Sequence, residues 1–381
     1  MARMPNARVL AEVLRSGNLR ARLRAAREGL TGVRLQLTAA ALDLGLLDAL
    51  GEGPASTEQL AGRLGAVDHD LLAAYLRVLA AAGLITGGGS WRLTRFGRAV
   101  AGDDVVRASY EGFGGYHSEL YRELPLLLHG GPGRRDTAES GEVIARLSLA
   151  IYPLIHDLLV RAVTERRPRR VLDIGCGAGL HLAAMLEAAP DATGIGVDVD
   201  PDAAALARRT LSERGLAGRA GVEEVDIRTA LAAGHGGALT AGIDLALLAN
   251  SIYYVPVDER VELLRAVARL LAPGGAVVVV TTVVGPQLFS RHLDLLLRAQ
   301  EGRMELPDVD VLLGQLREAG LQPGPTGADR SPRCCAPRAH GDPLRTSVTR
   351  GRSGRPRSPR EGQGRSAGRP PILRAAAGCT R

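Results

Sequence analysis

The chain has 381 residues, enough for two ordinary domains, each with its own core. Hydrophobic residues make up 45% of it but aromatics only 3%, so the cores must be built from leucine, valine and alanine. A net charge of +7 points first to nucleic acid, but all 48 basic residues are arginine, and 13 of them follow Pro325 against only three acids, which leaves residues 1–325 at −3. A slightly acidic body argues against general phosphate binding.

Three of the four cysteines (Cys334, Cys335, Cys379) lie in the basic tail and only Cys176 in the body. This is no disulfide framework, and it fits a reducing compartment. No continuous apolar segment precedes Leu30, so no signal peptide is expected. No run approaches the roughly 20 apolar residues that span a bilayer. The expectation is a soluble, cytoplasmic protein.

Residues 1–30 are rich in arginine, with Val9, Val13, Leu14, Leu19 and Leu23 at helical spacing, and are expected to form a helical arm. Residues 31–103 hold helix punctuation. Ser56 or Thr57 can cap a helix with core positions Leu60 and Leu64, ended by Gly65; Asp68 opens a second, ended by Gly83. LITGGGSWRLT (84–94) then reads as two short strands about a glycine turn. Helix, helix and wing make a winged helix. A DNA-reading helix needs several Arg, Lys, Asn, Gln or Ser side chains on one exposed face, but Asp68–Ala82 offers only Arg77 and His69 on a surface of alanine and leucine. That face suits protein better than DNA.

Residues 104–165 read as a helical linker in which GFGGYHSELY (112–121), with Tyr116 and His117, has the composition of a flexible lid. Residues 166–322 change texture to alternating strands and helices: VLDIG (171–175), GIGVDV (194–199), VEEVDI (222–227), IDLALLAN (243–250) and AVVVVTTVV (276–284). Such alternation predicts an α/β, Rossmann-like, doubly wound parallel sheet behind the helical winged-helix domain.

The first strand runs into Gly175, Gly177 and Gly179 with Asp173 two positions before them. Glycines let backbone approach a ligand, and the helix that follows presents free N–H groups. Asp198 ends the second strand, where a carboxylate can accept from both hydroxyls of a ribose, and Asp226 ends the third. Three strand ends converge on the crevice where open α/β sheets bind ligands. A bare strand–helix turn or a nicotinamide dinucleotide site would use the same glycines, but the dinucleotide reading explains neither Asp226 nor LLAPGG (270–275). Cys176 reads as a small packed residue.

With LLAPGG before the fifth strand, residues 142–322 resemble the class I S-adenosylmethionine-dependent methyltransferases, and residues 38–100 resemble the winged-helix region that precedes many small-molecule O-methyltransferases. The resemblance implies S-adenosyl-L-methionine as cofactor. It also implies a methionine end near Asp173 and the glycines, a ribose at Asp198 and Val199, and an adenine at Asp226 and Ile227. A homodimer through the N-terminal domain and a small, aromatic or polyketide-like hydroxyl acceptor follow from it too. Asn250 and Ser251 should border the cofactor, and Tyr152 should reach its methionine end.

Many relatives place a histidine just beyond the fourth strand, but ANSIYYVPVDER (249–260) has none. His117 with Tyr116 is the preferred acceptor-side pair, with Tyr254 as donor or aromatic wall and His156 and His292 as further candidates. No clustered ligands mark a metal site. From another class, a winged-helix regulator that binds S-adenosylmethionine without turnover would share these features. Residues 323–381 lack periodicity and are rich in Arg, Pro, Gly and Ser, so a disordered tail is expected. The composition change there motivates the expectation that an out-of-frame ending replaces the family's terminal hairpin, which would leave the fifth strand's edge exposed.

Overall fold

A computed structural model describes residues 17–232, 239–324 and 375–380. The first 16 residues of the expected arm, and most of the expected tail, lie outside them. Helix α1 (Leu19–Asp43) runs straight through the expected boundary at residue 30. Nothing between Leu30 and Thr31 breaks the helical pattern, so arm and domain share one helix.

Helices α2 (Leu46–Gly51), α3 (Thr57–Leu64) and α4 (His69–Ala81), strands β1 (Ile85–Thr86) and β2 (Arg92–Leu93), and helix α5 (Arg95–Gly102) complete the N-terminal unit. The capping signals work as the sequence implies. Ser56 accepts from the Gln59 amide while the Gln59 side chain accepts from the Ser56 amide, and Asp68 caps α4. Leu46, Leu47, Leu60, Leu76 and Leu79 are fully buried with Trp91 beside them. Each buried leucine contributes roughly 1.5–3 kcal/mol. The wing pairs antiparallel, Ile85 opposite Leu93.

Helices α6 (Asp104–Gly114) and α7 (Tyr116–Leu128) follow, then a single turn α8 (Asp136–Glu139) and α9 (Gly141–Ser148). The segment expected to act as a flexible lid is instead a packed helix crossing. An added Cβ at Gly114 would come within 2.4 Å of Ala39 Cβ on α1, and Gln36 Nε2 donates to the Gly114 carbonyl at 3.1 Å. Here glycine serves close approach rather than mobility. Within the expected helical linker a 3₁₀ turn (Leu149–Ile151) separates α9 from α10 (Tyr152–Arg166). Pro153 in the first turn of α10 supplies no amide to extend a helix backward.

The main sheet contains β3 (Arg170–Ile174), β4 (Thr193–Asp198), β5 (Ala220–Glu224), β6 (Ile243–Ala249) and β7 (Leu271–Val280) in parallel, ordered β5-β4-β3-β6-β7. Helices α11 (Leu180–Ala188), α12 (Pro201–Glu213), α13 (Ile227–Ala232), α14 (Arg260–Leu270), α15 (Leu288–Arg298) and α16 (Val309–Glu318) make the connections. Helix α11 buries residues on every side, including Leu182, Met185 and Leu186, as a helix sandwiched in a core must. The chain runs from β3 outward to β5, then returns to β6 on the other side. The switch point therefore falls between β3 and β6.

Beyond β7 the expectation of a bare edge does not hold. Strand β9 (Ala375–Thr380) pairs antiparallel with β7, and β8 (Gln322–Pro323) pairs antiparallel with β9. The six residues AAAGCT carry no charge, and the free edge of β7 offers an unpaired row of N–H and C=O groups. Strands β8 and β9 thus extend the sheet beyond β7 with an antiparallel pair. No single helix among the described residues is long and apolar enough to cross a membrane.

Candidate active site

Two cavities meet at the carboxyl ends of the parallel strands. The smaller, of 340 Å³, lies over the switch point. Gly175, Gly177, Asp198, Val199, Asp226, Ile227, Asn250 and Ser251, all foreseen from sequence, line it. Gly175, Gly177 and Gly179 all have positive φ (72°, 51° and 75°), which glycine alone adopts without cost. A Cβ on Gly175 would lie 2.8 Å from Ser251 Cβ, so the β3 and β6 loops pack directly on one another.

The Asp198 carboxylate is held from two sides. Oδ2 accepts from the Gly177 amide at 2.8 Å and Oδ1 from the Asp200 amide at 3.1 Å. A carboxylate has about four acceptor sites, so capacity remains for ligand hydroxyls. Asn250 sits in the left-handed region at φ 53° although it is not glycine. Its amide donates to the Val280 carbonyl at 2.7 Å, which pins it at the strand end. Its Oδ1, and the Ser251 hydroxyl, are buried with no hydrogen-bond partner. Strain and orphaned polar atoms together mark a ligand site.

Three foreseen residues stand back from this cavity. Asp173 is fully buried beneath the glycine loop, and neither of its oxygens makes a hydrogen bond of ordinary geometry. Burial, then the nearby Asp198 carboxylate, pushes its acid up to about 7, offset only in part by the Leu182 amide. Gly179 caps α11, where a Cβ would meet the Ala207 backbone at 3.0 Å. Tyr152 does not reach the cavity: its hydroxyl meets His156 Nδ1 at 3.1 Å and its ring stacks on His181. It points along the helix surface because His156, four residues on, shares its face. Cys176 is buried and its thiol is pushed up, chiefly by burial, as packing rather than nucleophilic chemistry requires.

The larger cavity, of 490 Å³, lies between the sheet and helices α6, α7, α9 and α15. Asn250, Tyr253, Tyr254, Thr137, Ile144 and Ser148 line both cavities, so a ligand in one faces a ligand in the other. Aromatic walls come from Phe113, Tyr116, Phe289 and the edge-on pair Tyr253 and Tyr254. Burial pushes the Tyr254 phenol up to about 12 and those of Tyr116 and Tyr253 up as well. These phenols remain protonated, so Tyr254 can donate a hydrogen bond but is no base near neutrality.

His117 lines the larger cavity and is 4% exposed. Its Nδ1 faces His292 Nε2 at 2.6 Å, its ring stacks on Phe113, and its Nε2 is buried without a partner. Burial, then His292 and Arg134, holds its pKa down to about 3, so the ring is neutral. His156 lines neither cavity, and His292 reaches the larger one only through His117. Asp136, also in the wall, is saturated: Arg134 Nη2 donates to it at 2.7 Å, Gln300 Nε2 at 2.7 Å, and Arg134 Nε to both oxygens at 3.1 and 3.2 Å. That clamp was not foreseen, because Arg134 and Gln300 come from segments with no shared periodicity. Among the described residues no cluster of His, Cys, Asp or Glu could hold a metal ion.

The methyltransferase-domain family model matches residues 171–275. Demethylspheroidene O-methyltransferase from Cereibacter sphaeroides is 30% identical over 292 residues, covering 69% of this chain and 71% of that protein. A 2-ketoarginine methyltransferase from Streptomyces arginensis is 31% identical over 159 residues, covering 40% of this chain. The chain spans only 45% of that relative's length. The solved structure of mitomycin 7-O-methyltransferase superposes with a TM-score of 0.65 at 22% identity, over 82% of this chain and 95% of that one. The chain belongs to the class I S-adenosylmethionine-dependent methyltransferases.

The residues present fit S-adenosylmethionine. Asp198 is oriented with acceptor capacity to spare, and Asn250 and Ser251 hold buried polar atoms without partners. Gly177 leaves the loop open, with Ala145 Cβ no nearer than 4.0 Å to an added Cβ.

Proposed function

We propose that the protein methylates a hydroxyl of a small aromatic or polyketide-like acceptor, working as a cytoplasmic homodimer. The observation that carries this is the wall shared by the two cavities. Asn250, Tyr253 and Tyr254 put a cofactor crevice and an aromatic acceptor chamber side by side. When bound, S-adenosylmethionine supplies a methyl group already activated on a sulfonium. Asp198 would hold the ribose hydroxyls, Asp226 and Ile227 the adenine, and Gly175, Gly177, Asn250 and Ser251 the methionine end.

The chain's own contribution is then chiefly position and exclusion of water. The aromatic walls clamp a flat acceptor, and Tyr254 and Tyr116 are protonated donors that can orient it. His117 offers a bare, neutral Nε2 in that wall, where it can accept the hydroxyl proton. The dimer reading rests on apolar side chains left exposed on the N-terminal helices, Leu23, Leu30 and Val33 on α1 and Leu71 and Val78 on α4. The same exposed leucine and valine on α4 disfavour the regulator reading, since a groove-reading face needs polar side chains.

Calorimetry with S-adenosylmethionine, a methyl-transfer screen over hydroxylated aromatics, and a DNA-shift assay test this together. Cofactor binding with transfer to a hydroxyl supports it. Cofactor binding with sequence-specific DNA shifts and no transfer would establish the regulator instead.

A further inference from the structure

His117, His292 and Tyr121 form a continuous hydrogen-bonded chain from the acceptor cavity to the surface. His117 Nδ1 meets His292 Nε2 at 2.6 Å, and His292 Nδ1 meets the Tyr121 hydroxyl at 2.7 Å. Exposure rises along it: His117 is 4% exposed, His292 is intermediate, and Tyr121 is 51% exposed. His117 and Tyr121 lie four residues apart on α7, one turn of one face, and His292 on α15 spans them. The rings are held in that order by contact: His117 and His292 centroids are 4.9 Å apart, and Tyr121 stacks on His292 at 5.5 Å. The inner end, His117 Nε2, has no partner.

We infer that these three side chains are a proton wire that takes up the acceptor's hydroxyl proton during methyl transfer and releases one to solvent in step, so that no charge is left in the buried cavity until product has gone. The inference rests on the reading of the larger cavity as the acceptor site. A single buried base there would face a difficulty. Methylation of a hydroxyl oxygen releases one proton, and an imidazolium on His117 would be a charge in an apolar wall, beside a histidine and within reach of Arg134. In the wire no ring has to hold that charge. His117 starts with its proton on Nδ1, donated to His292 Nε2, and His292 starts with its proton on Nδ1, donated to Tyr121 Oη.

As the acceptor proton arrives at His117 Nε2, the Nδ1 proton passes to His292 Nε2. The His292 Nδ1 proton passes to Tyr121 Oη, and the original Tyr121 proton goes to water. Each group gains one proton and loses one, so each remains neutral. Once product leaves and water enters, His117 Nε2 returns its proton to that water. Tyr121 takes one from bulk solvent, and the starting tautomers are restored. In this arrangement His117 touches the acceptor, while His292 and Tyr121 act through it.

Two arms test the wire, both on the full chain. The first uses histidine-labelled protein saturated with S-adenosylhomocysteine and long-range proton–nitrogen NMR, and needs no turnover. The expected result is His117 neutral with Nδ1 protonated and Nε2 bare. A proton on His117 Nε2, or a cationic His117 at neutral pH, would overturn the inference.

The second arm compares Tyr121→Phe and His292→Gln with the wild type on hydroxynaphthalenes. Some are un-ionised at the assay pH and others are ionised already through nitro substitution. Gln can donate and accept hydrogen bonds but cannot shuttle a proton, so it preserves packing while cutting the wire. On un-ionised acceptors kcat should fall about tenfold or more, with KM within about twofold; on ionised acceptors the loss should shrink to within about twofold. Equal losses on both kinds of acceptor would show a structural role, and no loss on either would show none; both overturn the wire. If the wild type methylates no member of the panel, the acceptor reading has failed and the wire falls with it; if it does methylate while the NMR shows a proton on His117 Nε2, the wire alone has failed.

Discussion

The amide of Gly177 and the carboxylate of Asp198 are joined at 2.8 Å, so the residue that shapes the glycine loop also aims the acid at the end of the neighbouring strand. The loop and the acid are therefore one unit: a change in either moves both. Asp198→Asn keeps the size but replaces one acceptor oxygen by a donor facing the Gly177 or Asp200 amide. A lost charge-assisted hydrogen bond is worth about 1.5–3 kcal/mol, so S-adenosylmethionine should bind roughly tenfold to a hundredfold more weakly by calorimetry. Unchanged affinity would remove Asp198 from the cofactor site.

Asp173 gives a pH prediction. Its folded-state pKa of about 7 lies above the ordinary 3.8, so between those values the folded protein holds a proton that the unfolded chain has lost. Its contribution is complete below 3.8 and is lost as pH rises to about 7. Asp173→Asn removes that loss and should stabilise the ligand-free protein above neutrality, on the order of 4 kcal/mol for a fully buried group. Chemical denaturation at acidic and mildly alkaline pH would measure it. A wild-type stability that rises across that window, with no gain in the variant, would refute the assignment.

The crossing at Gly114 predicts a packing defect at a distance from the chemistry. Gly114→Ala places a methyl 2.4 Å from Ala39 Cβ, so α1 and α6 must separate. Overpacking of this kind costs about 1–3 kcal/mol. Since Phe113, Tyr116 and His117 flank this crossing and line the larger cavity, KM for an acceptor bound there should rise while cofactor affinity stays within about twofold. Thermal unfolding and steady-state kinetics check the two halves.

His117→Ala should lower kcat on un-ionised acceptors by about a hundredfold with cofactor affinity unaltered, the usual scale for removing a general base. Because burial keeps the wild-type ring neutral far below neutral pH, the kcat profile should show no limb from His117 between mildly acidic and neutral pH. A wild-type limb near the ordinary histidine value, abolished in the variant, would show that the ring is charged in that range.

The parts of the fold and site that were legible in sequence are those where pattern and contact coincide. Period-two and apolar runs located β3 to β7 to within a few residues, and the carboxyl-terminal positions Asp198, Asp226, Asn250 and Ser251 followed from strand ends alone. What sequence hid depends on contacts between distant segments. His117 and His292 are 175 positions apart and no periodicity links them. The Arg134, Asp136 and Gln300 clamp is similarly non-local. Gly114 and Gly115 look like lid residues by composition, but it is the neighbouring α1 that makes Gly114 necessary, as the place where two helices touch. Tyr152 lies outside the cavity lining, and helical position alone does not say which neighbour, cavity or His156, its hydroxyl meets. The β9 strand was missed because six small residues at the end of an arginine-rich tail have no alternation to read.

The central claim is that the crevice at Asp198 and the chamber at His117 work as donor and acceptor halves of one methyltransfer site. Incubation with S-adenosylmethionine carrying a trideuterated methyl group, followed by mass spectrometry of a hydroxylated aromatic panel, tests it most directly. The predicted result is one labelled methyl on an acceptor oxygen, in yield that falls sharply in Asp198→Asn and in His117→Ala. Cofactor that binds while every hydroxyl acceptor stays unlabelled, or labelling undiminished in both variants, would contradict the account.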